Sequence, residues 1–125
     1  MIIIDYRDHR PIYEQIVERF KELILKGVLE SDSQLPSVRN LAMELSINPN
    51  TIQRAYAELE RQGYIYSVKG KGNFIAVSDQ IVLEKEKELF QKLNQLAKDA
   101  KGIKISKDRL IAIIDDSYRE GKDND

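Results

Sequence analysis

The sequence predicts a mainly helical α+β chain, with three short helices closed by a β-hairpin and then two longer helices. Three observations predict it. Residues 35–59 hold two amphipathic stretches of equal spacing around a tight turn. Residues 64–77 hold two β-rich runs around Lys69-Gly70-Lys71-Gly72. Residues 78–121 hold two further amphipathic stretches with Gly102 between them.

The pair at 35–59 organises the rest. Its first member carries apolar residues at Val38, Leu41, Ala42 and Leu45, and its second at Ile52, Ala55, Tyr56 and Leu59. The spacing is the same in both and gives each helix one buried face. Ser46 and Asn48 are turn formers, and Ile47 between them can tuck into the core. Asn48 before Pro49 is a capping side chain followed by a ring pre-set for the first helical turn. Pro36-Ser37 opens the earlier helix in much the same way. With Ile52, Ala55, Tyr56 and Leu59 buried, Asn50, Thr51, Gln53, Arg54, Glu58 and Arg61 are left outside. Amide and guanidinium groups can pair bidentately with adenine and guanine edges, and hydroxyls reach bases or phosphates. A plain solvated helix face is the competing reading. The cap, the turn and the partner helix all agree with a nucleic-acid reader.

Ahead of this pair, Ile2-Ile3-Ile4 suggests a short strand, and Pro11 opens a helix running to about Lys26. Its apolar stripe is Ile12, Ile16, Val17, Phe20, Leu23 and Ile24, and its polar side holds Glu14, Gln15, Glu18, Arg19 and Glu22. Gly27 is its expected stop, and Ser31-Asp32-Ser33 reads as loop. After Leu59, Gly63 is the expected helix cap. Tyr64–Val68 and Asn73–Val77 form the two arms of the hairpin, with a four-residue glycine turn. Its two lysines and two glycines suit close approach to a phosphate backbone, although an ordinary exposed turn has the same composition. Three helices followed by such a hairpin make a winged helix-turn-helix.

The last two helices are expected from Ser78 or Asp79 to Lys101, broken by Gly102, and from a capping Ser106 to Arg119. Val82, Leu83, Phe90, Leu93, Leu96, Ala97 and Ala100 line one side of the first, and Leu110, Ile111, Ile113, Ile114 and Tyr118 are the apolar residues of the second. Two such helices cannot hide these faces on each other alone. The same segment of a second chain is the most economical cover. The expected organisation is residues 1–77 as the winged domain, 78–121 as a helical dimerisation segment and 122–125 as a disordered tail. Leu83, Phe90, Leu93, Leu96, Leu110, Ile113 and Ile114 are the expected dimer contacts.

Composition limits the chemistry. There is no cysteine, hence no thiolate metal site and no cysteine nucleophile. His9 is the only histidine and has no catalytic partner in sight. Asp115-Asp116 would point about 100° apart on a helix, which is poor geometry for a shared metal. Lys69–Gly72 lacks the spacing of a nucleotide-binding loop. No cofactor and no enzymatic activity are expected. The N-terminus has no basic region followed by a long apolar run, and nothing approaches the roughly 18 apolar residues of a membrane span, so a cytoplasmic protein is expected. The formal net charge of −1 means that any DNA binding must rest on a local basic surface.

The segments R-P-I-Y-E-Q-I at 10–16, L-P-S-V-R-N-L-A at 35–42, N-P-N-T-I-Q-R-A-Y-A-E-L at 48–59 and G-Y-I-Y-S-V-K-G-K-G-N-F-I at 63–75 resemble the DNA-binding domain of GntR-type transcriptional regulators, and the first and third resemble the YtrA-like subgroup. The resemblance covers roughly residues 2–77. It implies a homodimeric winged-helix repressor with a short two-helix dimerisation segment, and two domains held by such a link should read an inverted-repeat operator. The DNA contacts it implies fall on Ser37, Arg39, Asn50, Thr51, Gln53, Arg54, Lys69, Gly70, Lys71 and Gly72. Among these, Arg54 is expected to read a base edge and Lys71 to anchor on a phosphate. Many family members carry a basic residue where this chain has Pro49, so the operator should differ from theirs. A small effector could sit between the two parts of the chain, though no residue cluster marks a site for it. The alternative is a winged helix that binds protein instead of DNA.

Overall fold

The computed structural model describes residues 2–76 and 78–120. In chain order it contains α1 (Ile12–Leu25), α2 (Val38–Leu45), α3 (Pro49–Arg61), β1 (Ile65–Val68), β2 (Gly72–Ile75), α4 (Asp79–Gly102) and α5 (Lys107–Glu120). It is mainly helical with one small two-stranded sheet, a winged helix-turn-helix followed by two helices. The backbone divides after Val82 into two compact units. Among the described residues no helix is long and apolar enough to cross a membrane.

In the first unit the periodic stripes meet as one core. Ile16, Val17, Phe20 and Ile24 of α1 pack with Leu41 and Ala42 of α2, with Ile52, Ala55, Tyr56 and Leu59 of α3, and with Leu35, Tyr64, Ile65 and Ile75. The Phe20 and Tyr56 rings meet edge to face at 5.9 Å. The unit runs through Val82, past the 1–77 boundary read from the sequence, because Ile81 packs on this core. Leu45 was expected among the buried residues. It is only half-buried, at the end of α2, although it touches the core. Leu59→Ala should therefore cost about 2–5 kcal/mol of stability and Leu45→Ala nearer 1 kcal/mol, since less apolar area leaves water at Leu45. Urea denaturation of the two variants measures the difference.

Four of the helices end in one way. After α1, Gly27 takes φ 76° and the Val28 N–H donates to the Leu23 carbonyl at 2.9 Å. After α3, Gly63 takes φ 85° and Tyr64 N–H donates to Leu59. After α2 and α4 the left-handed residue is not glycine but Ser46, at φ 55°, and Lys104, at φ 64°. Ile47 N–H then donates to Ala42, and Ile105 N–H to Ala100. Each reversal satisfies carbonyls that the helix end leaves open. Gly102, expected to break α4, is its last residue, and the chain turns two residues later.

Three local expectations need correction. Ile2-Ile3-Ile4 forms no strand, for it has no ladder partner. Ile2 and Ile4 pack on the core while Ile3 is 83% exposed. Gln15 is not on the solvent side of α1 but buried. Its amide oxygen accepts from Asp5 N–H at 2.9 Å and its NH2 donates to the Asp5 and Arg10 carbonyls, which fastens the N-terminal segment to α1. The hairpin turn spans three residues rather than four, because Val68 pairs with Gly72. The Lys71 N–H donates to the Val68 carbonyl at 2.9 Å, with Gly70 at φ 79° in the position where a type II turn requires a positive φ. Val77, assigned to the second arm, lies outside the described residues.

The stretch read as loop at 31–33 also has a structural task. Asp32 N–H donates to the Ile75 carbonyl, Ile75 N–H to Ser33, and Leu35 N–H to Asn73, so 32–35 lines the open edge of β2. Tyr66 OH donates to Asp32 Oδ1 at 2.9 Å, and the Tyr66 and Phe74 rings stack at 5.6 Å. The wing is thereby braced to the segment that enters α2.

In the second unit α4 and α5 are joined by the turn at Lys104, and Ser106 Oγ accepts from Arg109 N–H at the start of α5. Along α4, positions 82, 86, 89, 93, 96 and 100 recur by alternating steps of four and three, and all but Glu86 are apolar. This is a heptad seam, and it includes Leu89, which the sequence reading passed over. Leu93 at 50% and Leu96 at 65% exposure show how little of the seam the chain covers by itself. Gly121 and the tail at 122–125 lie outside the described residues.

Candidate nucleic-acid interface

The candidate contacts sit on three short pieces of backbone. The first is the start of α2. Ser37 caps it, its hydroxyl oxygen accepting from Asn40 N–H at 3.0 Å, which leaves the hydroxyl proton to donate elsewhere. Two residues on, Arg39 is exposed.

The second is the start of α3. Asn48 Oδ1 accepts from Asn50 N–H at 2.8 Å, and Pro49 occupies the first turn. Asn50, Gln53 and Arg54 are exposed and Thr51 is half-buried. Tyr56, facing the other way, ties α3 to the segment that enters α2. Its hydroxyl donates to the Pro36 carbonyl at 2.7 Å, one residue before the Ser37 cap. Burial holds the Tyr56 phenol well above its ordinary range, so it remains a donor. At the far end of α3, Arg61 pairs with Glu58, and the Arg61 guanidinium and Gln62 amide hold the Glu58 carboxyl down to about 2. Glu58 and Arg61 thus neutralise each other, and the polar groups left for recognition gather at the N-terminal end of α3.

The third piece is the wing tip, where Lys69 and Lys71 are exposed on either side of Gly70. Gln34 Nε2 donates to the Lys71 carbonyl at 2.8 Å across 37 residues of sequence. Gly72 is what admits it, because a Cβ there would stand 2.9 Å from Gln34 Nε2, and φ at Gly72 is 118°. Gln34 thereby ties the wing tip to the segment leading into Ser37 and Arg39.

Two residues at this site escaped the sequence reading. Gln34 gives no local signal, since its partner is remote. Tyr13 of α1 lies under Arg54, whose guanidinium carbon is 3.8 Å from the ring centroid. An aromatic at the polar edge of the α1 stripe was the only trace of it. Among the described residues no group of His, Cys, Asp or Glu side chains is arranged to hold a metal, and Asp116 pairs with Arg119.

Comparison with known proteins supplies the family. Residues 12–75 match the model for bacterial regulatory proteins of the gntR family. The chain is 41% identical over 130 residues to the HTH-type transcriptional repressor YtrA of Bacillus subtilis, covering 100% of both. A transcriptional regulator from Oenococcus oeni superposes with a TM-score of 0.76 at 33% identity, over 94% of this chain and 99% of that one. The DNA-binding domain of AraR in complex with operator ORE1 superposes with a TM-score of 0.52 at 29% identity, over 61% of this chain and 93% of that one. The chain belongs to the gntR family of bacterial regulatory proteins, in its YtrA-like subgroup, with the winged helix-turn-helix domain of that family at its N-terminal end.

Proposed function

We propose that the protein is a cytoplasmic, homodimeric transcriptional repressor that binds an inverted-repeat operator. Ser37, Arg39, Asn50, Thr51, Gln53, Arg54 and the wing residues 69–72 make the DNA contacts, and the protein acts by binding rather than by catalysis. The observation that carries the reading is the N-terminal turn of α3. It presents amide, hydroxyl and guanidinium side chains outward from a helix whose opposite face is wholly buried. The operator complex of AraR supports the same use of this domain in a relative.

The second copy is proposed from the α4 seam. An uncovered heptad stripe with leucines at 89, 93 and 96 is the pattern that pairs helices. Leu83 and Phe90 flank it, and Leu110, Ile113 and Ile114 are the apolar residues that α5 adds to the proposed dimer contacts. Two linked domains then read two half-sites about one helical turn of DNA apart, or a multiple of it.

Selection of bound sequences from a random DNA pool with the purified protein tests the reading. Enrichment of an inverted repeat supports it. Enrichment of an isolated half-site removes the dimer, and no enrichment removes the DNA-binding role. On the selected operator, Lys71→Ala should weaken binding to all sequences alike. It should also flatten the salt dependence by about one unit, as loss of one phosphate contact does. Titrations at several salt concentrations measure both effects.

A further inference from the structure

We infer that Tyr13 of α1 is a positioning residue that holds Arg54 at the wall of the DNA groove, so that Arg54 binds a phosphate while Asn50 and Gln53 read bases. The inference rests on the DNA-binding role proposed above, with the exposed N-terminal turn of α3 laid in the major groove, and it revises the expectation that Arg54 reads a base edge.

The geometry begins with helical periodicity. Asn50, Gln53 and Ala57 form one exposed row along α3. At 3.6 residues per turn, Arg54 lies roughly 70° round the helix from the middle of that row. The row aimed at the groove floor reaches base edges, and residues on the flank meet the sugar-phosphate walls. Arg54 is drawn to that flank by the Tyr13 ring, at 3.8 Å from guanidinium carbon to ring centroid. Tyr13 is itself fixed, for it packs against the core of the domain.

Stacking leaves the guanidinium chemically free. Its N–H donors lie in its own plane and point outward from the edge, so a ring beneath the plane uses none of them. The stack therefore offers a planar fork to an anion and removes the rotamer freedom that an unsupported arginine would lose on binding. Glu58, one helical turn beyond Arg54, could have captured it, but that carboxylate is engaged by Arg61 and Gln62. Arg54 has no ion pair among the described residues, and its ordering contact is an uncharged ring. It is a pre-oriented cation awaiting an anionic partner. Gln53, by contrast, sits on the base-facing row with an amide suited to an adenine edge.

The test uses the full-length protein in pool selection and in salt titrations on specific and random DNA. Arg54→Ala is expected to keep the preferred sequence, to weaken binding to both DNAs by the same factor, and to lower the salt slope by about one. Gln53→Ala is expected to change the base preferred at one position of each half-site and to leave the slope alone. Tyr13→Leu should show part of the Arg54→Ala loss, Tyr13→Phe should restore wild-type binding, and Tyr13→Leu with Arg54→Ala should bind no worse than Arg54→Ala by itself. Should Tyr13→Leu lower the melting temperature, Arg54→Lys tests the contact from its exposed side. It keeps the charge, loses the flat stack, and should bind severalfold more weakly with the slope unchanged. An Arg54→Ala protein with an altered preferred sequence would overturn the inference. So would fully additive losses at Tyr13 and Arg54, or an Arg54→Lys protein equal to wild type. An intact protein that selects no sequence at all defeats the groove reading itself, a result distinct from exchanged roles of Gln53 and Arg54.

Discussion

A chain cut after Val82 is expected to keep its winged fold and to lose about 100-fold or more in affinity for the operator. The cut follows the division between the two compact units and keeps Ile81, which packs on the first core. One winged domain makes few base contacts. When two are linked, the second binds at the effective concentration set by the link, and this alone multiplies affinity by roughly 10²–10⁴. The α4 seam is the proposed link, so Leu93→Glu in the intact chain should act like the cut. A carboxylate placed in a helix-pairing seam must be either desolvated or left at a broken interface. Sedimentation should find the intact chain dimeric and both altered forms monomeric, the Leu93→Glu chain with wild-type helix content and the cut chain with the helix content of the winged domain alone. A cut chain that binds the operator as tightly as the intact one, or an intact chain that sediments as a monomer, would take the dimer out of the mechanism.

Much of the fold was legible because it depends on short-range rules. Equal apolar spacing in α2 and α3, the Ser37 and Asn48 caps and the left-handed glycines at 27 and 63 are all local signals, and the core follows once three stripes face one another. What was not legible involves partners far away in sequence or a polar residue in an apolar place. Gln15 sits beside Ile16 on α1, and only its bonds to Asp5 and Arg10 explain why an amide is buried there. The 32–35 segment reads as loop because its strand partner comes some 40 residues later. α4 ends at Gly102, where the sequence places its break, but the left-handed residue of the reversal is Lys104, which carries no local signal because that conformation costs a side-chain residue roughly 1–2 kcal/mol.

At the interface the sequence marks exposed polar residues but not how each side chain is held. Asn50, Gln53 and Arg54 all read as exposed polar groups, and a sequence alone ranks arginine as the strongest base reader of the three. Rank by chemistry ignores where the side chain is held. Helical periodicity sets Arg54 to the side of the Asn50 and Gln53 row, and the Tyr13 ring, 41 residues earlier by number, packs against its guanidinium there. The same applies to the wing. Lys69 and Lys71 were visible as charges, while the Gln34 bond that fixes the direction of the tip was not.

Tyr56→Ala should be among the most damaging single substitutions in the winged domain, at about 3–5 kcal/mol, the range for deleting a buried aromatic. Tyr56 lies at the junction of the core and the reading head. Its ring meets Phe20 edge to face, and its hydroxyl donates to Pro36 at 2.7 Å. Tyr56→Phe separates the two parts. It keeps the ring and its packing, removes one hydrogen bond, and should cost about 1 kcal/mol. The two variants should also differ in binding. Pro36 precedes the Ser37 cap and Arg39, so release of its carbonyl loosens the entry to α2 without opening the core. Tyr56→Phe, measured well below its melting temperature, is therefore expected to weaken operator binding severalfold although the substituted atom lies on the core side of α3. Urea denaturation gives the stability terms, and titration of the selected operator gives the binding term. A Tyr56→Phe protein that loses stability but binds as tightly as wild type would show that the Pro36 bond supports the fold alone.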